Sequence, residues 1–173
     1  PFDGGIYRGL LGAGAYRNTI TGGDGFDTLV SGAGNDQLDG GADDDLLIGT
    51  IGADSLAGGE GDDFLNGGGG FDRLAGDDGA DRFYHAGVAN HGTDWITDYA
   101  SAEGDVLLYG RAGARIGDFV VHYATTAGAG DDAVQEVFVI DTAINRVVWA
   151  ITDGAAEDHI WLRLGGQSFD LLA

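Results

Sequence analysis

Large apolar residues recur at every ninth position through one third of the chain. Between residues 22 and 84 the sequence divides without insertion into seven nine-residue units: GGDGFDTLV, SGAGNDQLD, GGADDDLLI, GTIGADSLA, GGEGDDFLN, GGGGFDRLA and GDDGADRFY. Because side chains alternate along a β-strand, a short strand at positions seven to nine would bury only the eighth residue. That position holds Leu29, Leu38, Leu47, Leu56, Leu65, Leu74 and Phe83.

Glycine prevails at the first, second and fourth positions of the units. Glycine allows positive φ, so the first six residues can form a tight turn. One unit therefore predicts a turn and a short strand, and two units predict one coil of a parallel β-solenoid in which alternate units stack on the same sheet. The glycine pattern is broken by Ser31 at the first position, Thr50 and Asp77 at the second, and Asp43 at the fourth.

The sixth position is aspartate in every unit. Stacking would gather these carboxylates in two rows, and charges about 5 Å apart repel strongly in a partly desolvated site. A hard divalent cation removes this repulsion, and calcium fits best because it accepts 6–8 oxygen ligands in flexible geometry, including turn carbonyls. Pairs of aspartates two units apart number three in one row and two in the other, so we expect about five calcium ions or more. The aspartates are Asp27, Asp36, Asp45, Asp54, Asp63, Asp72 and Asp81.

The units resemble the GGxGxDxUx repeats of the repeat-in-toxin (RTX) family. The resemblance implies an all-β fold, a right-handed parallel β-roll with a β-rich carboxyl-terminal capping region. It also implies that calcium is held between turns by aspartate side chains and loop carbonyls. Carried over to this sequence, the first-position glycines expected to take part are Gly22, Gly40, Gly49, Gly58 and Gly67.

Residues 1–21 are expected to form an amino-terminal cap of degenerate repeats, with a plain linker as the alternative. Asn18 stands in the aspartate column and Ile20 in the apolar column. One unit earlier, Leu11 occupies the apolar column, whereas Gly9 stands where the repeats have the ligand aspartate. Terminal repeats are commonly atypical because they cap the stack.

Residues 85–173 lack the period and are expected to cover the open end of the solenoid. Their β-branched and aromatic content predicts further strands, with a hairpin between VQEVFVID and RVVWAIT. The predicted strands are 95–99, 106–109, 119–123, 134–140, 146–151 and 159–164.

Two carboxyl-terminal segments carry further resemblances. TDWITDYASAEGDVLLYG resembles the segment that follows the repeats in serralysin-type proteases and alginate-epimerase modules, which makes Asp94, Asp98 and Asp105 candidate ligands of a final calcium ion; a solvated role is the alternative. The last five residues, FDLLA, resemble the acidic and hydrophobic ending of type I secretion substrates.

Composition excludes several classes of function. The chain has 29 acidic and 8 basic residues, a net charge of −21, which argues against nucleic-acid binding because phosphate contacts need clustered cations. It has no cysteine, no apolar run of the roughly 20 residues that span a bilayer, and no recognisable catalytic motif, so we expect no enzyme activity. His85, His91 and Asp94 match no helical zinc motif, and a surface or capping role is favoured for the histidines.

The sequence therefore predicts a calcium-binding RTX domain of a secreted bacterial protein. We expect it to fold on calcium binding outside the cell and to support type I secretion and the stability of an attached upstream protein. Because position 1 is not Met, we expect the chain to be a piece of a longer protein. The alternatives are a polysaccharide-binding module like those of alginate epimerases, or a surface-anchoring module.

Overall fold

The computed structural model describes residues 2–3, 5–8, 17–88, 91–130 and 133–173, and these are almost entirely β-structure. Two short 3-10 helices, Ile116–Asp118 and Gly154–Ala156, interrupt the strands. Within the described residues, no helix has the length and apolar character needed to cross a membrane. In chain order the strands are β1 (Phe2–Asp3), β2 (Ile6–Arg8), β3 (Thr19–Asp24), β4 (Thr28–Val30), β5 (Gln37–Ala42), β6 (Leu46–Ile48), β7 (Ile51–Gly52), β8 (Ser55–Glu60), β9 (Phe64–Asn66), β10 (Gly69–Gly70), β11 (Arg73–Asp78), β12 (Arg82–His85), β13 (Asp94–Ile96), β14 (Val106–Tyr109), β15 (Phe119–Ala124), β16 (Glu136–Asp141), β17 (Arg146–Ile151), β18 (Trp161–Leu164) and β19 (Gln167–Asp170).

Two long sheets form the body of the molecule. The first sheet has the order β1-β3-β5-β8-β11-β13-β17-β16-β15, and the second has the order β19-β18-β14-β12-β9-β6-β4-β2. A small parallel pair, β7 and β10, joins two turns. Successive nine-residue units enter the two long sheets alternately, which confirms the predicted parallel β-roll.

The eighth-position side chains form the core between the sheets. In the first sheet Leu38 lies beside Leu56, and Leu56 beside Leu74. In the second sheet Leu65 lies between Leu47 and Phe83. All seven eighth-position side chains are at most 2% exposed. The nine-residue period therefore predicts both the sheet and the register of each repeat.

The unbroken period ends at Tyr84, but both sheets continue beyond it. β13 pairs in parallel with β11 and aligns Ile96 with Leu74, and β14 pairs with β12 and aligns Leu107 with Phe83. β17 and β18 then add another coil. Residues after 84 thus extend the core of the roll as well as covering its end.

Antiparallel strands close the carboxyl-terminal edge of each sheet. β16 pairs with β17 as the predicted hairpin, and β15 forms the outermost strand of the first sheet. β19 folds back on β18 at the edge of the second sheet. The predicted strands 106–109 and 146–151 match β14 and β17.

At the amino-terminal end the structure follows the decayed repeats only in part. Ile20 lies beside Leu38 in the apolar column, as the sequence predicts. The expectations for Gly9 and Leu11 lie outside the described residues. Tyr7 pairs with Leu29, so the strand beside β4 lies four residues earlier than a strict nine-residue frame would place it.

Candidate calcium sites

Each sixth-position aspartate lies at the end of a turn, directly before a strand. Because the strands are stacked in register, the aspartates of alternate units lie above one another. The row leading into the second sheet is Asp27, Asp45, Asp63 and Asp81, and the row leading into the first sheet is Asp36, Asp54 and Asp72. The turns that join the sheets alternate between the two edges of the roll, so each row lies on its own edge. All seven side chains are at most 2% exposed.

One oxygen of each carboxylate belongs to a hydrogen-bond ladder between coils. The Asp36 backbone N–H donates to Asp54 Oδ1 at 2.8 Å, and the Asp54 N–H donates to Asp72 Oδ1 at 2.9 Å. The same bond recurs along the other edge, for example from Asp45 N–H to Asp63 Oδ1 at 2.7 Å. Asn18 starts one ladder by donating its backbone N–H to Asp36 Oδ1 at 2.6 Å. Oδ1 therefore holds neighbouring coils together.

The second oxygen of each carboxylate is buried and unpaired. A buried charged oxygen without a partner is costly, so it calls for a proton or a cation. In each of the seven aspartates, Oδ2 has no hydrogen-bond partner among the described residues; the seven are Asp27, Asp36, Asp45, Asp54, Asp63, Asp72 and Asp81.

Backbone carbonyls converge on these unpaired oxygens. A Cβ atom placed on Gly40 would lie 2.3 Å from Asp45 Oδ2 and 2.5 Å from the carbonyl oxygen of Gly58. At Gly49 the corresponding neighbours are Asp54 Oδ2 and the Gly67 carbonyl, at 2.5 Å and 2.6 Å. The space beside Gly22, Gly40, Gly49 and Gly58 thus brings together a carboxylate and a carbonyl from the next coil, a donor set that suits calcium.

The structure refines the predicted set of glycines. The carbonyls of Gly40, Gly58 and Gly67 each approach an unpaired aspartate oxygen. Sequence reasoning missed Gly76, whose carbonyl plays the same part beside Asp63 Oδ2. The sequence signal for Gly76 was its position as the first residue of the seventh unit.

Ser31 makes one site different from the others. Its side chain is fully buried, and Oγ donates a hydrogen bond of 2.5 Å to the Gly49 carbonyl. That carbonyl, from one of the predicted glycines, is therefore already engaged by the protein. Asp36 Oδ2 in the same unit remains unpaired.

Burial raises the pKa of several of these aspartates. Desolvation is the largest cause, and the charges of neighbouring aspartates add to it. The pKa is raised to about 6 for Asp45, about 7 for Asp54 and Asp63, and about 8 for Asp81. In the absence of a cation these groups would bind protons near neutral pH.

Where the glycine pattern is broken, the turn conformation is kept. Asp43, Thr50 and Asp77 have φ values of 74°, 76° and 65°, the left-handed region that glycine occupies elsewhere. Asp43 Oδ2 accepts a hydrogen bond of 3.1 Å from the Gly25 N–H, and Thr50 Oγ1 donates to the Gly32 carbonyl. Side-chain hydrogen bonds to the preceding coil thus accompany the turn conformation of Asp43 and Thr50.

The three carboxyl-terminal candidates do not share one site. Asp94 extends the row of Asp72, because Ile96 aligns with Leu74. Asp105 extends the row of Asp81, whose backbone N–H donates to Asp105 Oδ1 at 2.9 Å.

Asp98 and Asp105 lie at the end of the row that contains Asp81. Asp98 accepts from the N–H groups of Gly76 and Asp77, at 3.1 Å and 2.8 Å. Asp105 Oδ2 accepts from the Ala100 N–H at 2.8 Å. At this end both oxygens of each carboxylate therefore accept backbone N–H groups, whereas within the repeats only Oδ1 does.

The signal for Asp94 was present in the sequence but shifted. Residues 89–97, ANHGTDWIT, keep the fourth-position glycine, the aspartate and the apolar residue of a repeat, after an insertion of four residues, 85–88. A fixed period cannot find a unit displaced by four positions.

The pKa of Asp94 is raised well above its ordinary value by burial and by the charge of Asp72.

Two histidines border this end of the row. Burial lowers the pKa of His85 to about 4 and also lowers the pKa of His91. Both imidazoles are therefore neutral at physiological pH.

Two rows of buried, unpaired carboxylates in repeated glycine-rich turns are the architecture of a calcium-binding repeat domain. The family described as "RTX calcium-binding nonapeptide repeat (4 copies)" matches residues 12–47, 40–74 and 48–83. Residues 12–83 therefore belong to the RTX calcium-binding repeats. No curated protein matches the chain in sequence. Among solved structures, the AlgE6R3 subunit of the Azotobacter vinelandii mannuronan C5-epimerase is similar at 20% identity and a TM-score of 0.40, over 86% of this chain and 78% of that one.

Proposed function

We propose that this domain is a calcium-triggered folding module of a secreted bacterial protein. The observation that carries the proposal is the set of seven buried aspartates, each with one oxygen bonded between coils and the other unpaired. Calcium ions between successive turns give these oxygens their missing partners. The aspartates and the converging glycine carbonyls are the ligands.

Five ions occupy the spaces between the seven aspartates, three on one edge and two on the other. A further calcium lies at the end of the Asp81 row, where Asp98 and Asp105 supply additional carboxylates. Their hydrogen bonds to the turn of residues 76–81 support this placement, since they bring both side chains to the last turn of the array.

Charge explains why folding depends on calcium. Residues 22–84 carry fifteen acids and two arginines, a net charge of −13, and their core is one large side chain per nine residues. Such a segment cannot offset its conformational entropy while it repels itself. A ligand that binds only the folded state stabilises that state by mass action. Extracellular modules bind calcium at about 10⁻⁴–10⁻³ M, so the domain folds only after leaving the cell.

The carboxyl-terminal residues support the proposal that a type I secretion machinery exports the chain before it folds. In the folded chain Phe169 belongs to β19, and Leu171 and Leu172 pack against the core. The Leu171 N–H also donates to the Ile160 carbonyl at 2.9 Å. Because these residues are half-buried in the fold, the ending is more accessible to a receptor in the unfolded, calcium-free chain.

The domain serves an upstream part of the same polypeptide. A calcium-binding repeat domain is non-catalytic in itself, so the activity of the whole protein resides in that upstream part. Folding outside the cell then draws the exported chain forward and stabilises its attached domain.

Far-UV circular dichroism during a calcium titration from a chelated start tests the proposal. The expected result is a cooperative coil-to-β transition in calcium that magnesium does not reproduce, because magnesium demands octahedral geometry and keeps its water. A spectrum already rich in β-structure in the presence of chelator would overturn the folding trigger.

A second candidate function, polysaccharide binding, is favoured by one groove. The groove has a volume of about 440 Å³, and its lining includes Phe71, Arg73 and Trp95. Phe71 is 69% exposed, and Arg73 pairs with Trp95 across neighbouring strands. An exposed ring beside an arginine suits an acidic sugar. Binding of polyuronate oligosaccharides in calcium, lost in Phe71→Ala and kept in Phe26→Ala, would establish this function; equal binding by both variants would exclude the groove.

A further inference from the structure

A cluster of mixed nitrogen and oxygen ligands lies where the Asp72 row leaves the repeats. His85, His91 and Asp94 each offer one ligand atom, and these atoms all lie within 4.8 Å of one another. His85 ends β12, and Asp94 begins β13. The four-residue insertion that displaces the eighth unit thus places a second histidine beside the aspartate row.

The cluster contains buried polar atoms that the described protein leaves unsatisfied. Asp94 is fully buried, and neither of its carboxylate oxygens makes a hydrogen bond of ordinary geometry with the described residues, although the carboxyl and backbone N–H of Asp72 lie close enough to shift its pKa. His91 Nδ1 is likewise buried and unpartnered within the described part of the chain. Such groups are retained where something else satisfies them.

His85 is held in place by its surroundings. Its ring stacks on Tyr109 at 5.8 Å and contacts the Trp149 ring edge-on at 5.7 Å. The Gly87 N–H donates to Nδ1 at 2.9 Å, and Nε2 lies 3.2 Å from the Gly92 carbonyl. Because Gly92 lies between the other two ligands in the chain, Nε2 faces the cluster.

We propose that His85, His91 and Asp94 form a site for a divalent transition metal of the Zn²⁺ class, distinct in chemistry from the calcium sites. Imidazole nitrogen is a preferred ligand of zinc, cobalt and nickel, whereas calcium is bound by oxygen. Two histidines and one carboxylate leave the fourth position of a tetrahedral ion to water. Because zinc binds these ligands at about 2.0–2.2 Å, the three groups draw together by about 1 Å.

Metal binding changes the hydrogen bonds of His85. Nε2 exchanges its contact with the Gly92 carbonyl for the metal, and the ring proton moves to Nδ1. The Gly87 N–H must then turn away from Nδ1. The aromatic contacts keep the ring in place during this exchange, and the adjacent Trp149 reports the change through its fluorescence.

The surrounding repeats show what is particular to this turn. His91 occupies the third position of the displaced unit, which holds Ala33, Ile51 and Gly69 in the preceding turns of the same edge. In the next coil Trp149 lies directly opposite Asp94, so the carboxylate row ends here. The nitrogen ligands therefore occur only at the last member of the row.

Titration of the calcium-saturated full chain with Zn²⁺, followed by calorimetry and Trp fluorescence, tests the site. We expect one equivalent of Zn²⁺ to bind, and His91→Ala to weaken binding at least about tenfold. His122→Ala is the matched control, because His122 is exposed on β15 and should leave binding unchanged. Circular dichroism in calcium verifies that each variant is folded, which also tests the calcium-dependent fold independently of the zinc site.

Co²⁺ provides a second readout, since a four-coordinate site with nitrogen ligands gives intense visible absorption and an oxygen-only octahedral site does not. Intense bands that disappear in His91→Ala support the proposal. Equal Zn²⁺ binding by wild type and His91→Ala, weak octahedral bands, or displacement of Zn²⁺ by millimolar calcium would each overturn it.

Discussion

The aspartates of the two rows use their two carboxylate oxygens differently. Oδ1 accepts a backbone N–H from the preceding coil and so belongs to the fold, whereas Oδ2 is buried without a partner. An asparagine could keep the first contact but could not offer a charged oxygen to a cation. This division makes the structural and the metal-binding roles separable by mutation.

Asp54→Asn is expected to change stability in opposite directions with and without calcium. In chelator at pH 8 it removes a buried charge whose pKa is raised to about 7, so the β-form gains stability. In calcium it removes a ligand, and the calcium midpoint rises roughly tenfold, as for a loss of about 1.4 kcal/mol. Circular dichroism titrations measure both effects. Asp39→Asn, an exposed position in β5, is the control; a uniform loss of stability under both conditions would contradict the assignment.

Gly58→Ala is expected to obstruct one calcium site directly. The added Cβ would lie 2.1 Å from Asp63 Oδ2 and 2.7 Å from the Gly76 carbonyl. The crowding should cost about 1–3 kcal/mol and raise the calcium midpoint. Thermal unfolding in saturating calcium measures the loss. Gly117→Ala has nothing within 4 Å of its new Cβ and should behave as wild type; a similar response in both variants would show that the effect is not local.

At the scale of elements, the repeats and the carboxyl-terminal strands form one stack. Ile96 and Leu107 continue the apolar columns of Leu74 and Phe83 after insertions that break the sequence period. Parallel pairing to β17 and β18 then extends both sheets. The end of the array is thus covered by more of the same roll before the antiparallel edge strands begin.

Ile96→Ala is therefore expected to destabilise the whole roll. Removing a fully buried isoleucine typically costs about 2–5 kcal/mol. Urea unfolding in calcium measures this cost, and Val120→Ala, at an outward position that is 47% exposed, should change stability by less than about 0.5 kcal/mol. An unchanged midpoint for Ile96→Ala would mean that β13 folds independently of the repeats.

The sequence predicted those features that a fixed period determines. Seven aspartates and seven apolar residues at one spacing were enough to assign both sheets, their register and the two carboxylate rows. The four-residue insertion before Ala89 concealed the eighth unit, because a displaced register leaves only a short and degenerate match. The approach of His85 to Asp94 depends on strand pairing across that insertion, which no local pattern encodes. Ser31 was visible as a departure, but its bond to the Gly49 carbonyl required the stacked coils.

At the scale of the whole molecule, the proposed calcium sites imply that protons and calcium compete for the same carboxylates. The chain carries a net charge of −21, and burial raises the pKa of Asp45, Asp54, Asp63 and Asp81 in the folded state without metal. Protonation removes the charge of these carboxylates, and a bound cation neutralises the same charge. Acid and calcium are therefore alternative ways to reduce the same repulsion.

We expect the metal-free chain to gain β-structure as the pH is lowered from about 9 to about 5. Asp45, Asp54, Asp63 and Asp81 have folded-state pKa values of about 6, 7, 7 and 8, above the ordinary value of 3.8. For a carboxyl group raised in this way, the stabilising contribution is fully present below its unfolded pKa and is lost as pH rises through its folded pKa. The gain in stability should therefore begin as the pH falls below about 8 and continue toward the unfolded pKa near 4, and circular dichroism in chelator should follow it. The calcium midpoint should rise over the same interval as protons compete.

Asp63→Asn provides the matched test, because it removes one titrating group whose pKa is raised to about 7. In chelator at pH 8 the variant should hold more β-structure than wild type. At pH 5, where Asp63 of the folded wild type is largely protonated, the two chains should hold similar amounts. Asp62→Asn, at the neighbouring exposed position, should follow the wild-type profile. If acid induced β-structure equally in all three chains, general charge reduction would be its cause, and the buried rows would not control the transition.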